Sequence, residues 1–343
     1  MTLHRFVVPI RNVSTFCTFL DGQLRPENPL PMVANGEHAI DAEFGWVAWV
    51  AEDGAAIGRT HLDAVEGEGG FAPLVMPEGY RAACLLFHRQ VLFVGGNCGN
   101  EVIGAFDLAA PEPRWVPLDV PPQFQRYGKE IDDLLLDGDR LLAVDDIVSP
   151  KYLLRYDVDD PRRPRLMDVL EIPWHSSYET IHSGALGTNW VALLSSSVNH
   201  GWAAVHIALF DRVTLEEQGA LTKTRKGSYR RAEEPDTRDW RGLAFHGNVL
   251  LVAAGADGVG VLDLDALKKP PVQFRGPDAN DWSAPPEIRT FSEQCMKALR
   301  HQPLPVPYAG RPVTRVVPVT GTRHFLAVVG TDPGFDTVVM ELS

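Results

Sequence analysis

Four polar residues near the middle of the chain could carry out chemistry if the fold brought them to one place. Glu130 and Asp132 stand at the start of one apolar run, and Glu179 and His182 stand at the start of the next. Carboxylate and imidazole groups bind hard cations and Zn²⁺. One hypothesis is therefore a metal-assisted hydrolase or lactonase that uses these residues.

Three arginines occupy similar positions ahead of other apolar runs. Arg81, Arg241 and Arg315 could together hold an anion, because a guanidinium group binds carboxylates and phosphates through paired hydrogen bonds. A second alternative is therefore a sensor of a small anionic ligand.

Neither alternative is supported by a catalytic motif. The sequence contains no GxSxG and no HExxH pattern, and the glycine-rich stretch at 95–100 lacks the lysine of a phosphate-binding loop. The sequence therefore favours a protein without enzymatic activity, and it predicts no cofactor and no bound metal.

Charge and cysteine content narrow the range of partners. The net charge is −13, with 45 acidic against 32 basic residues, which disfavours nucleic acid and anionic membrane surfaces. No secretory leader is recognised at the start, and the four cysteines are widely spaced, so we expect a cytoplasmic protein with reduced thiols. The ratio of 7 lysines to 25 arginines indicates a bacterial source.

The elements that would position these residues form a repeat. Short apolar runs separated by Gly, Asp, Asn and Pro predict strands joined by turns. An acidic residue ends one strand of each copy, at Asp107, Asp157, Asp211 and Asp263, in steps of 50, 54 and 52 residues. Repeats of this length with four strands each are typical of β-propellers. We expect these aspartates to be structural, accepting hydrogen bonds from the turn that follows.

The spacing predicts a single all-β propeller domain over 1–343. We expect six blades, with Phe6–Ile10 closing the ring as the outer strand of the last blade. Seven blades are the alternative, if residues 12–36 form a degenerate blade. The next acidic mark, Glu341, comes 78 residues after Asp263. We therefore predict an insertion at 275–312, containing one short helix, between the last two blades.

The segment from Tyr156 to Leu166, with its Asp-Asp-Pro-Arg-Arg-Pro core, resembles the LVIVP-type repeat of WD40-like bacterial propellers. The resemblance implies the propeller fold and says little about activity.

Loop lengths indicate where binding would occur. The first and second strands of each repeat are joined by tight turns, whereas the second-to-third and blade-to-blade connections are long. Long loops on a rigid scaffold usually carry function. We name the blade ends that bear these long connections the loop-rich face.

The leading prediction is a binding platform for a protein or peptide partner, expected to be an accessory or regulatory subunit of a bacterial system. Aromatic residues and arginines of the loop-rich face are the expected anchors, because such residues dominate interface energetics. The predicted anchors are Trp174, Tyr178, Trp202, Arg225, Tyr229, Arg230 and Trp240.

Overall fold

Seven antiparallel sheets, here called blades 1 to 7, follow one another along the chain. The computed structural model describes residues 3–11, 13–30, 32, 36–51, 53–61, 73–98, 101–122, 124, 129–145, 150–172, 179–199, 202–226, 240–270, 285–331 and 334–342. In every blade, strands that are consecutive in sequence are neighbours in the sheet.

Blades 1 to 4 contain β1 (His4–Ile10), β2 (Val13–Leu20) and β3 (Gln23–Pro29); β4 (His38–Asp41), β5 (Trp46–Val50) and β6 (Ile57–His61); β7 (Arg81–His88), β8 (Val91–Asn97), β9 (Ile103–Asp107) and β10 (Val116–Pro117); and β11 (Ile131–Asp137), β12 (Arg140–Asp145), β13 (Lys151–Asp157) and β14 (Arg165–Ile172).

Blades 5 to 7 contain β15 (Glu179–Leu186), β16 (Trp190–Asn199), β17 (Trp202–Asp211) and β18 (Glu217–Lys226); β19 (Leu243–His246), β20 (Val249–Ala253), β21 (Val259–Asp263), helix α1 (Pro286–Ala298) and β22 (Arg300–Gln302); and β23 (Val313–Pro318), β24 (His324–Val329) and β25 (Asp336–Glu341).

The prediction of six blades is wrong, and seven blades are observed. The N-terminal strand β1 pairs with β2, from His4 opposite Phe19 to Ile10 opposite Val13, and does not complete the last blade. Strands β2 and β3 are joined at Asp21 and Gly22, whose φ angles of 52° and 77° lie in the left-handed region. Such a two-residue turn closes a hairpin, so the first thirty residues form a blade of their own.

The chain divides into two compact units. The first comprises residues 1–171 with 332–336, and the second comprises residues 172–331 with 337–343. Blades 1 to 4 lie in the first unit, whereas blades 5 to 7 lie almost entirely in the second.

The core of each unit is built around the second strand of each blade. Strand β8 is buried along Val91–Gly96, and Leu250–Ala253 of β20 are equally inaccessible. These strands are apolar without alternation because both of their faces are covered. In the first unit, for example, Phe93 of blade 3 and Leu141 of blade 4 belong to one continuous cluster.

The acidic marks end the third strands and organise the turns that follow, as predicted. Each accepts a main-chain hydrogen bond at its Oδ1 from the residue two positions later: Asp107 from Ala109 at 3.0 Å, Asp157 from Asp159 at 3.1 Å, Asp211 from Val213 at 2.8 Å and Asp263 from Asp265 at 3.0 Å. Two of the marks also bind a cation of the next blade, since Arg162 pairs with Asp107 and Lys269 pairs with Asp211. Asp107 and Asp211 therefore connect neighbouring blades as well as shaping turns.

Helix α1 lies inside blade 6, whereas the sequence analysis placed it between the last two blades. The strand after the helix, β22, pairs with β21, so the helix interrupts the connection from the third to the fourth strand. Of its buried residues Ile288, Phe291 and Cys295, the last two belong to the core cluster that contains residues of blades 5 and 6. The Phe291 ring is stacked on Trp190 of blade 5, with centroids 5.8 Å apart.

We predict that Phe291→Ala lowers the free energy of unfolding by about 3–5 kcal/mol, because it removes a buried ring and leaves a cavity. Met296→Ala on the same helix is the control, since Met296 is 38% exposed and should cost well under about 1 kcal/mol. Urea unfolding of both variants checks this. Equal losses would show that the helix does not depend on the Phe291 contact.

Candidate functional site

The first strands of four blades carry the same irregularity. The register shifts by one residue between Ala82 and Cys84 in β7, between Ile131 and Asp133 in β11, between Ile181 and Ser183 in β15 and between Val313 and Arg315 in β23. The extra residues are Ala83, Asp132, His182 and Thr314. A β-bulge redirects side chains and is common beside functional sites. Two residues of the predicted hydrolase set, Asp132 and His182, thus occupy equivalent bulged positions.

In the first unit, the bulge of blade 4 is next to a small polar group. Burial, followed by the charge of Asp132, raises the pKa of Glu130, whereas a hydrogen bond from the Asn97 side chain and the charge of Arg81 act in the opposite direction. Arg81 and Asn97 lie opposite each other in β7 and β8. The structure therefore groups Glu130 with Arg81, which the sequence analysis had assigned to two different functions.

A buried ion pair, which was not predicted from the sequence, anchors the same end of blade 4. Lys129 directly precedes Glu130, and its Nζ donates hydrogen bonds to Asp145 Oδ2 at 2.7 Å and to the Pro150 carbonyl at 2.5 Å. Both charged side chains are completely inaccessible to solvent. The ammonium also lies 5.1 Å from the Tyr152 ring centroid and 5.7 Å from that of Phe124, distances at which cation–π attraction is effective.

The buried Asp145 carboxylate accepts its hydrogen bonds from the described residues at only one of its two oxygens. Besides Lys129, the Tyr152 amide donates to Oδ2 at 3.2 Å, whereas the buried Oδ1 has no partner among the described residues. Burial raises the pKa of Asp145 to about 6, although Lys129 and the Tyr152 amide lower it. This pair joins the start of β11 to the loop-rich ends of β12 and β13, so it fixes the position of Glu130.

The remaining members of the predicted chemical sets lie in the second unit. His182 is exposed, and its Nε2 is 2.5 Å from Ser196 Oγ. Glu179 begins β15, Arg241 pairs through its main chain with Ala253, and Arg315 follows the bulge of β23. Among the residues that the structure describes, no group of three or more His, Cys, Asp or Glu side chains is arranged to hold a metal ion. The hydrolase and the anion sensor stay predictions.

The predicted partner anchors have different locations. Trp174, Tyr178, Tyr229 and Arg230 lie outside the described residues, whereas Trp202 begins β17 and Arg225 lies near the end of β18. Trp240 is described and is only 4% exposed, because it packs in the core shared by blades 5 and 6. Its side chain is therefore not presented to a partner.

The predicted difference between the two ends of the blades is visible in the strand bounds. Two or three residues join the first and second strands of blades 3 to 6, at 89–90, 138–139, 187–189 and 247–248. The connections that leave blades 3 to 6 for the next blade span 118–130, 173–178, 227–242 and 303–312. The prediction of a long second-to-third connection is wrong for blade 5, because only residues 200–201 join β16 and β17, and the connection that contains α1 begins at the other end of blade 6.

Blade 5 extends farther than its neighbours. Strands β16, β17 and β18 are each ten residues long, whereas no other strand in the described parts of the chain exceeds eight. Their register continues without a break from Ala208 opposite Ala220 to Trp202 opposite Lys226, at the loop-rich end. The sequence indicates this length, because no glycine or proline interrupts the segment from Leu221 to Lys226.

No helix within the described ranges has the length and apolarity needed to cross a bilayer.

Comparison with solved structures confirms the class of fold. The structure resembles hydrazine synthase of Kuenenia stuttgartiensis, with a TM-score of 0.62 and 10% identity over 96% of this chain and 90% of that chain. It also resembles the β-propeller domain of Cps50 (Swd1) from Myceliophteria thermophila, with a TM-score of 0.57 and 10% identity over 99% of this chain and 98% of that chain. The structure of U3-55K is similar as well, with a TM-score of 0.58 and 10% identity over 100% of this chain and 96% of that chain.

The chain is thus a seven-bladed β-propeller, and the predicted fold-level resemblance to known β-propellers is confirmed. No protein-family model and no curated protein matches the sequence.

We predict that Lys129→Met destabilises the protein by about 3–5 kcal/mol, because it leaves the Asp145 carboxylate buried without its cation. Lys297→Met is the matched control, since the Lys297 side chain is 80% exposed and its pairing with Glu293 contributes little. Thermal and urea unfolding compare the two variants. A loss for Lys129→Met as small as that of the control would contradict the inferred role of the pair.

The raised pKa of Asp145 predicts a pH dependence. Because the folded protein binds this proton more tightly than the unfolded chain does, the resulting stabilisation is complete below pH 4 and is lost as pH rises through about 6. The stability of the wild type relative to Asp145→Asn should therefore fall between pH 4 and pH 6. Parallel pH profiles for the two proteins would show that Asp145 titrates normally.

Proposed function

We propose that this chain is a binding platform for a protein or peptide partner, acting through the loop-rich face and centred on blade 5. The observation that carries the proposal is the extension of β16, β17 and β18, which are the longest strands in the described part of the chain and continue toward that face. Strand β18 leads into the long connection 227–242, so blade 5 offers a rigid surface beside an adaptable loop, and such combinations commonly bind partners.

The fold alone does not choose between binding and catalysis. One structural neighbour is named as a synthase, and propellers support unrelated functions on the same scaffold. Charge distribution supports binding at blade 5. The chain is acidic overall, yet residues 223–231 contain Lys223, Arg225, Lys226, Arg230 and Arg231 and no acidic residue. A basic segment in an acidic protein suits a partner with an acidic binding segment.

The proposed setting is the cytoplasm of a bacterium, as an accessory or regulatory subunit. All four cysteines are free, and Cys17, Cys84 and Cys295 are buried. Unpaired thiols fit a reducing compartment.

A capture experiment with matched variants tests the platform. Purified wild type, a loop-rich-face variant (Trp174→Ala, Tyr178→Ala and Arg230→Ala) and a variant at the opposite blade ends (Arg140→Ala and Arg163→Ala) are used as bait in host extract. Captured proteins are identified by mass spectrometry, and the affinity of the purified pair is then measured. We expect the loop-rich-face variant to bind at least about tenfold more weakly, the usual loss when an interface anchor is truncated.

The opposite-end variant is the control, because Arg140 and Arg163 are exposed beside the turns. It should bind like wild type. A partner that is lost only in this control would move the binding surface to the opposite ends and contradict the proposal. Equal melting temperatures for all three proteins are required, so that a loss of folding is not read as a loss of binding.

A further inference from the structure

The outer edge of blade 5 is an unpaired strand of unusual length. Strand β18 is the last strand of its sheet and pairs on one side only, with β17. The outer strands of the two neighbouring blades are shorter. Strand β14 of blade 4 has eight residues, and β22 of blade 6 has three. A long edge strand exposes a row of main-chain donors and acceptors that can pair with another chain.

Helix α1 shows which main-chain groups of β18 point outward. The Ala220 amide donates a hydrogen bond to Ser292 Oγ at 2.9 Å, away from β17. Because main-chain groups alternate in direction along a strand and the register is regular from Gly219 onward, the amides of Thr222 and Thr224 point the same way. Within the described part of the chain, these two outward amides have no main-chain partner.

A groove continues this edge beside the helix. It has a volume of about 430 Å³ and is lined by Ala220 and Thr222 of β18 and by Ser292 and Met296 of α1, among others. The Met296 side chain is 38% exposed. An unbranched, polarisable methionine is well suited to contact varied apolar side chains.

The charge of β18 specifies the chemistry of a partner strand. Strand β18 contains Lys223, Arg225 and Lys226, and no acidic residue follows Glu217 within the strand. Lys223 is paired with Asp257 at 3.1 Å, and Arg225 and Lys226 add two further positive charges to the sequence of the strand. Basic residues along an edge favour an acidic segment and repel a basic one.

We propose that β18 accepts an extended acidic peptide as an additional antiparallel or parallel strand. The peptide bonds to the outward main-chain groups of Thr222 and Thr224 and places one apolar side chain in the groove beside Met296. This is strand addition to an exposed sheet edge, a recurrent mode of peptide recognition. The inference rests on the proposed function, because it names the chemistry of the partner that the platform binds.

A proline substitution tests the edge directly. Thr224→Pro deletes one outward amide and leaves the β17 ladder intact, since proline is tolerated where the lost amide faces away from the sheet. Thr224→Val keeps the amide and is the matched control. The probe is a fluorescent, end-blocked hexapeptide of alternating glutamate and valine, and fluorescence anisotropy measures its affinity. We expect Thr224→Pro to bind about tenfold more weakly, as for the loss of one hydrogen bond, and Thr224→Val to bind like wild type.

Two further measurements complete the test. Lys223→Pro removes an amide that faces β17, so it should lower the melting temperature where Thr224→Pro does not. A probe of alternating lysine and valine should bind more weakly than the acidic probe. The inference is overturned if Thr224→Pro binds like Thr224→Val, if the two probes bind equally, or if the acidic probe fails to bind the wild type up to about 1 mM.

The same variants separate this inference from the platform proposal. A partner that is lost with the Trp174, Tyr178 and Arg230 substitutions but retained by Thr224→Pro would support the platform and overturn the edge. A partner that is lost with Thr224→Pro and retained by Thr224→Val would support strand addition.

Discussion

Burial of the second strand of each blade on both faces is the constraint on which the rest of this structure depends. Strands β8, β12, β20 and β24 are apolar almost throughout because each is covered on both sides, so the middle of a blade has no place for polar chemistry. In these four strands the polar residues are confined to the ends, and the two ends of the blades differ in how polar groups are used. At one end, aspartates such as Asp107 satisfy turn amides and bind cations of the next blade. At the other end, β-bulges and long connections are found.

The buried pair of Lys129 and Asp145 follows from the same constraint. Asp145 is the last residue of β12, where the apolar layer stops, and Lys129 comes from the connection that enters β11. Burial of two charges is costly, and the cost is offset only where hydrogen bonds and aromatic rings surround them. Here the Pro150 carbonyl and the Tyr152 ring supply those contacts. The pair connects two polypeptide segments at the loop-rich end, so the loops nearest to it start from fixed points.

The repeat was predictable where each copy contained an apolar second strand and an aspartate at the end of the third, which holds for blades 3 to 6. Blade 1 lacks that aspartate, and its outer strand β3 is polar and carries prolines, so β1 was assigned to the last blade by analogy. The Asp21-Gly22 turn was the overlooked signal. Strand β22 has the sequence Arg-His-Gln, without an apolar residue, so its place inside blade 6 could not be seen. Trp240 shows why the partner anchors could not be predicted reliably from the sequence. An aromatic residue beside a loop can belong to the core as well as to a binding surface, and Trp240 is buried.

The cations of β18 can be interpreted in two ways, and strand length decides between them. Lysine on an edge strand is a known protection against unwanted pairing, which would make Lys223 and Lys226 defensive. Some other blades protect their edges by brevity or by proline: β10 has two residues, β22 has three, and β3 contains Pro26 and Pro29. Strand β14 does neither, with eight residues and no proline. Strand β18 has ten residues and no proline, and a helix residue bonds its edge at Ala220. Strand β18 is the longest outer strand in the described blades, and its length and regular register favour a strand that is kept available for pairing.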